Sequence, residues 1–67
     1  MKEKIQQLIE SQKLAKNEVH ILIEELSQID EDKISYQEFN SLNELKAKYT
    51  EELELRLVFI NELEDLL

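Results

Sequence analysis

The 67-residue chain contains no glycine, proline or cysteine, and its apolar side chains recur every three or four positions. Glycine and proline are the strongest helix breakers, so a chain without them has few places at which a helix can end. Spacing by three and four residues keeps apolar side chains on one side of an α-helix. The sequence therefore predicts an all-α protein made of long helices.

An apolar stripe runs through the first half of the chain. Alternate steps of four and three residues from Met1 reach apolar residues throughout, with one polar exception, Gln12. Such spacing is typical of helices in coiled coils and bundles. We expect a first helix over about residues 2–29. Its stripe comprises Met1, Ile5, Leu8, Gln12, Ala15, Val19, Leu22, Leu26 and Ile29.

The second half opens with a signal for the start of a helix. Ser35 is followed three residues later by Glu38, which forms the pattern of a capping box. Ile34 and Phe39 occupy the flanking positions of a hydrophobic staple, which makes the match more specific. Apolar residues then advance by three or four positions. We expect a second helix over about residues 36–66.

One stretch of the second half admits another interpretation. Residues 53–57 alternate apolar and polar side chains, as a strand does. No turn residue flanks this stretch, and the surrounding Glu, Leu and Lys residues favour helix. We therefore interpret it as helical.

A charged break at residues 30–34 separates the two helices. A connection of this length suits an antiparallel helical hairpin, so the chain, residues 1–67, is predicted to be a single domain. In the expected register, ion pairs join Lys13 to Glu51 and Glu18 to Lys46. The opposed apolar pairs are Val19 with Leu45, Leu22 with Leu42, Leu26 with Phe39, Leu8 with Leu57 and Ile5 with Ile60.

Pairing these two stripes leaves other apolar side chains unburied. A chain this short buries little of its surface, and it has no disulfide to compensate. We expect the hairpin to complete a four-helix bundle, either by homodimerisation or by docking on a larger protein. The predicted contact residues are Ile9, Ile23, Leu55, Val58 and Phe59.

Gln12 is the polar residue of the first stripe. A buried polar group at such a position fixes register and oligomeric state, provided that it finds a hydrogen-bond partner. The Tyr49 hydroxyl is one candidate partner. A solvent-accessible edge position for Gln12 is the alternative.

Sixteen acidic residues against eight basic ones give a net charge of −8, which disfavours binding to nucleic acid. Residues 21–45 alone carry −6. A second hypothesis is therefore an acidic decoy, a phage-type inhibitor that blocks a basic nucleic-acid-binding groove; a solvated hairpin tip is the simpler alternative. The acidic tip comprises Glu24, Glu25, Asp30, Glu31 and Asp32.

No residue pattern indicates catalysis, a cofactor or a metal. The chain lacks a cysteine nucleophile and a glycine-rich phosphate loop. His20 and Glu24 share a helix face, but two ligands do not complete a metal site. Residues 30–39 echo the second half of an EF-hand loop, yet Ile29 falls at a ligand position and the turn glycine is missing. We therefore predict a protein that is not an enzyme.

In outline the chain resembles two groups of small helical hairpins. Its length, its central break and the pattern Leu26-x-x-Ile29-Asp30-x-Asp32 resemble plasmid copy-number regulators that form dimeric four-helix bundles. That resemblance implies an RNA-binding regulator. The aromatic residues Tyr36 and Phe39 and the apolar C-terminal half are similar to co-chaperones of type III secretion needle subunits, which implies a chaperone role.

The leading hypothesis is thus a non-enzymatic protein–protein interaction module: an adaptor, a small chaperone or an inhibitor. Its partner is a second copy or a larger protein. No apolar run is long enough to span a membrane, and no signal sequence is apparent, so we expect a cytoplasmic protein without a membrane partner.

Overall fold

The computed structural model describes all 67 residues and consists of two antiparallel helices joined by a short bend. Helix α1 spans Lys2–Ser27, a 3-10 turn spans Glu31–Lys33, and helix α2 spans Tyr36–Asp65. The two helices pack against each other, and there is no strand. The Cα atoms extend over 51 × 14 × 11 Å. The predicted all-α hairpin is confirmed, including the helical interpretation of residues 53–57.

The predicted capping box begins α2. The Ser35 hydroxyl accepts a hydrogen bond from the Glu38 amide at 3.1 Å, and the Glu38 carboxylate accepts one from the Ser35 amide at 3.3 Å. Two of the unpaired donors at the start of the helix are thereby satisfied. Ile34 and Phe39 are both half-buried, as a staple position requires.

Replacing Ser35 with alanine is expected to lower the free energy of unfolding by about 1 kcal/mol, because the Glu38 amide loses its acceptor. Chemical denaturation followed by circular dichroism would measure the loss. Ser41 is the matched control, since it also precedes a glutamate by three residues but lies inside α2 and makes no side-chain hydrogen bond. An equal loss in Ser41→Ala would contradict a specific capping role for Ser35.

Carboxylates organise the bend between the helices. The Asp30 side chain accepts a hydrogen bond from the Asp32 amide at 3.1 Å and lies 3.9 Å from the Lys33 ammonium. Glu31 lies 3.5 Å from the ammonium of Lys46 on α2. No residue has a positive φ, so this bend forms without glycine.

The core between the helices contains only four buried residues: Ile9, Val19, Leu42 and Ile60. Ile9 is the most enclosed, with 1% of its surface exposed. The prediction that Ile9 points away from the seam is therefore wrong. Helix α1 is rotated by part of a turn from the predicted phase: Ile5, Val19 and Leu26 stay on the inner side, but Ile9 and Ile23 replace Leu8 and Leu22 there.

The register of the two helices also differs from the prediction, by about one helical turn. Gln12 lies within hydrogen-bond distance of Arg56, and Leu8 shares a groove with Phe59 and Leu63. The predicted partner of Leu8 was Leu57. The ion pairs differ in the same way. Lys13 pairs with Glu64 instead of Glu51, and Lys46 pairs with Glu31 instead of Glu18.

Candidate functional site

One long side of the hairpin is lined by large apolar residues that the core does not use. On each helix they recur at seven-residue steps, which keep side chains on one side of a helix with a drift of only about 20° per step. Each exposes between 40% and 66% of its surface. This surface, called here the apolar side, comprises Leu8, Leu22 and Ile29 from the first half and Leu45, Phe59 and Leu66 from the second.

Two shallow grooves between the helices mark the two ends of the apolar side. The groove near the open end is lined by Leu8, Gln12, Phe59, Glu62, Leu63 and Leu66. The groove near the bend includes Leu26, Ile29, Leu42 and Leu45. Both helices therefore contribute apolar side chains at each end of this side.

A polar network lies midway along this side, at the edge of the seam. Arg56 donates to the Gln12 side-chain oxygen at 3.0 Å and to one Glu52 oxygen through two nitrogens, at 2.9 and 3.3 Å. The predicted hydrogen-bond partner of Gln12, the Tyr49 hydroxyl, is therefore wrong. The contact between Gln12 and Arg56 is the only hydrogen bond that joins α1 to α2.

The opposite long side, called here the polar side, presents mainly polar residues, together with Leu57, which is 43% exposed and lies seven residues before Glu64. Lys13 on α1 lies 3.7 Å from Glu64 on α2, and His20 lies 3.0 Å from Glu24 one turn further along α1. Exposed pairs of this kind contribute under about 1 kcal/mol each. Asn17 is also exposed there. The hairpin therefore has two chemically different long sides.

The residues predicted to contact a partner do not form one surface. Ile9 is buried and Ile23 is half-buried, both in the seam. Phe59 lies on the apolar side, next to Leu8. Leu55 and Val58 are exposed together on the outer surface of α2.

Sequence reasoning missed Leu8, Leu22, Leu45 and Leu57 as surface residues, because it assigned them to the seam. All four are about half-exposed. The signal that could have identified the first three was the pair of seven-residue series, which continue to Ile29 and Phe59. An apolar seven-residue series beside the seam gives each helix a second surface that can pack against another helix.

The five residues of the acidic tip are all exposed. Three of them make contacts within the chain. Glu24 pairs with His20, Asp30 caps the bend, and Glu31 pairs with Lys46. These carboxylates therefore help to shape the hairpin end itself.

Two further features concern metal-binding side-chain groups and membrane-spanning helices. No three His, Cys, Asp or Glu side chains are grouped so that they could hold a metal ion. Neither helix combines the length and apolar character needed to cross a membrane. Comparison with known proteins finds no matching family model, curated protein or solved structure.

Proposed function

We propose that the chain is a non-enzymatic protein–protein interaction module, acting as an adaptor, a small chaperone or an inhibitor. The observation that carries this proposal is the apolar side, with six half-exposed large residues against a core of only four buried ones. Burial of apolar surface stabilises by about 25 cal/mol per Å². Covering this side therefore supplies a stabilisation that the isolated hairpin does not obtain.

A second pair of helices laid on the apolar side would complete a four-helix bundle. In such bundles each helix presents an apolar surface wide enough to contact two neighbours. Helix α1 meets this requirement, because the seam uses Ile9 and Val19 while Leu8 and Leu22 remain free. The second pair comes from another copy of the chain or from a larger protein.

The distribution of charged side chains gives weaker support to the two competing hypotheses, RNA binding and the acidic decoy. For RNA binding, Lys13 and Lys46 are each paired with a carboxylate, which lowers the positive potential available to a phosphate backbone. For the acidic decoy, part of the tip stabilises the bend. Both remain predictions: RNA binding is tested by a gel shift, and the decoy by the loss of partner binding in salt.

A photo-crosslinking amino acid placed at Phe59 would test the proposed function in the cells that make this protein. The matched position is Asn17, which is exposed on the polar side. We expect protein adducts from position 59 in clear excess over those from position 17, because apolar contact holds a partner against Phe59. Mass spectrometry would identify the adducts.

The identity of the crosslinked protein shows whether the partner is a second copy of the chain or a different protein. An adduct to the same chain indicates self-association, and an adduct to another protein indicates an adaptor, chaperone or inhibitor. Equal yields from positions 59 and 17 would contradict the proposed function altogether.

A further inference from the structure

We propose that the occupant of the apolar side is a second copy of this chain, related by a two-fold axis that places the two bends at opposite ends. This inference rests on the proposed function and specifies its partner. In the dimer, α1 packs antiparallel to the partner's α1, and α2 packs antiparallel to the partner's α2. The result is a four-helix bundle with two kinds of seam.

The size of the apolar side suits a dimer of this chain. The Cα atoms of the hairpin extend over 51 × 14 × 11 Å, so one long side covers at most roughly 700 Å² and a dimer buries at most about 1,400 Å². Stable protein interfaces bury about 1,200–2,000 Å² in total. A second hairpin has the same length and width, so it covers the surface from end to end.

The spacing of residues on the apolar side is self-complementary. On α1, Ala15 lies midway between Leu8 and Leu22. If the two-fold axis passes Ala15, the antiparallel α1 of the partner places its Leu22 beside Leu8. On α2, Glu52 lies midway between Leu45 and Phe59, which sets these two beside each other across the interface. A two-fold interface requires this matching of one patch with itself.

The charges of α1 favour the orientation with opposed bends. Its first turn contains Lys2 and Lys4 with one acidic residue, Glu3, and its last turn contains Glu24 and Glu25 with no basic residue. The acidic last turn opposes the helix dipole, which favours basic groups at the C-terminus. Antiparallel pairing brings the net positive first turn of one copy to the level of the net negative last turn of the other. Parallel pairing would bring the two acidic tips together.

The polar network occupies the centre of this interface. Glu52 interrupts the apolar series of α2, and in the dimer it approaches its own copy across the two-fold axis, with each carboxylate paired to Arg56 of the same chain. Ala15 is small and leaves space at the same level of α1. A central polar layer of this kind specifies register and orientation.

Two neighbouring pairs of substitutions test the dimer in the full chain. Phe59 and Val58 are exposed to almost the same extent, 50% and 49%, but only Phe59 lies on the apolar side. Leu22 and Ile21 form a second pair on α1, at 40% and 51%. We expect Phe59→Glu and Leu22→Glu each to raise the dissociation constant of the dimer about 100-fold or more, because each charge enters the interface twice.

Sedimentation equilibrium would measure these constants, and circular dichroism would report whether each variant remains helical. The unaltered chain is expected to have twice its monomer mass of 8.0 kDa. Val58→Glu and Ile21→Glu are expected to remain dimeric. Equal weakening by Phe59→Glu and Val58→Glu, and by Leu22→Glu and Ile21→Glu, would overturn the proposed interface.

A single introduced cysteine tests the orientation, since the chain has none of its own. Ala15→Cys is expected to form a disulfide-linked dimer under mild oxidation, because it lies beside its own copy on the partner's α1. Asn17→Cys on the polar side is expected to remain monomeric in a denaturing gel. Efficient crosslinking through Asn17→Cys, or none through Ala15→Cys in a dimeric chain, would overturn the antiparallel arrangement.

A monomeric mass for the unaltered chain at every concentration would overturn the dimer but not the proposed function. In that case an adduct from position 59 to a different protein would still support an interaction module. If position 59 yields no adduct, both fail.

Discussion

Replacing Ile9 with alanine is expected to lower the free energy of unfolding by about 2–3 kcal/mol. Ile9 is the most enclosed side chain of the molecule, at 1% exposed, and one of only four that are buried. Truncation removes apolar contacts and leaves a cavity, for which the usual cost is about 2–5 kcal/mol. We place the loss in the lower part of that range because a two-helix layer can partly close around the gap.

Leu14 provides the matched control for Ile9. It lies on the same helix and also loses methyl and methylene groups on truncation, but it is 66% exposed. Leu14→Ala is expected to change the free energy of unfolding by at most about 0.5 kcal/mol. Urea denaturation followed by circular dichroism at one fixed chain concentration would compare the two. Equal losses at both positions would show that the seam between the helices is not where Ile9 lies.

Replacing Arg56 with alanine is expected to cost about 1–2 kcal/mol, because charge-assisted hydrogen bonds of this kind contribute about 1.5–3 kcal/mol when fully enclosed. Arg56 is only partly buried, with 28% of its side chain exposed, which reduces the effect. The change leaves Gln12 and Glu52 without their partner. Arg56→Lys is expected to restore a minor part of the loss, since an ammonium cannot reproduce the planar donor pattern of a guanidinium.

The substitution Gln12→Leu distinguishes two effects of this network: its contribution to the free energy of unfolding and its role in fixing the register of the two helices. The substitution removes the hydrogen bond to Arg56 but adds apolar area in the seam, and it leaves the pair of Arg56 with Glu52 intact. We expect the free energy of unfolding to change by less than about 0.5 kcal/mol, with a weaker preference for one register. Thermal denaturation and disulfide trapping between helices would measure the two effects. A loss as large as that of Arg56→Ala would contradict this division.

The local sequence was sufficient to predict both helices and the start of α2, whereas α1 ends at Ser27, two residues before its predicted end. Ser35 and Glu38 begin α2 through contacts within four residues of chain, so their pattern carries the necessary information. The position of the bend was predicted in the same way, because the charged break at residues 30–34 separates the two apolar stripes. No distant contact is needed for either element.

The inner surface of α1 could not be predicted in this way. Two overlapping stripes, one through Leu8 and Leu22 and one through Ile9 and Ile23, both satisfy the three-and-four spacing. The stripe that faces α2 depends on how side chains of both helices fit together. The structure selects Ile9, and it thereby leaves Leu8 and Leu22 on the apolar side.

Helix content, the position of the bend and the capping of α2 are therefore determined by the sequence alone, because each depends on residues close together in the chain. The register, the phase of α1 and the pairing of Gln12 with Arg56 were decided only by tertiary structure. A regular apolar repeat allows helices to slide by a turn or rotate by part of a turn at little local cost. Only the packing of whole surfaces, with one polar group that must find its partner, distinguishes these arrangements.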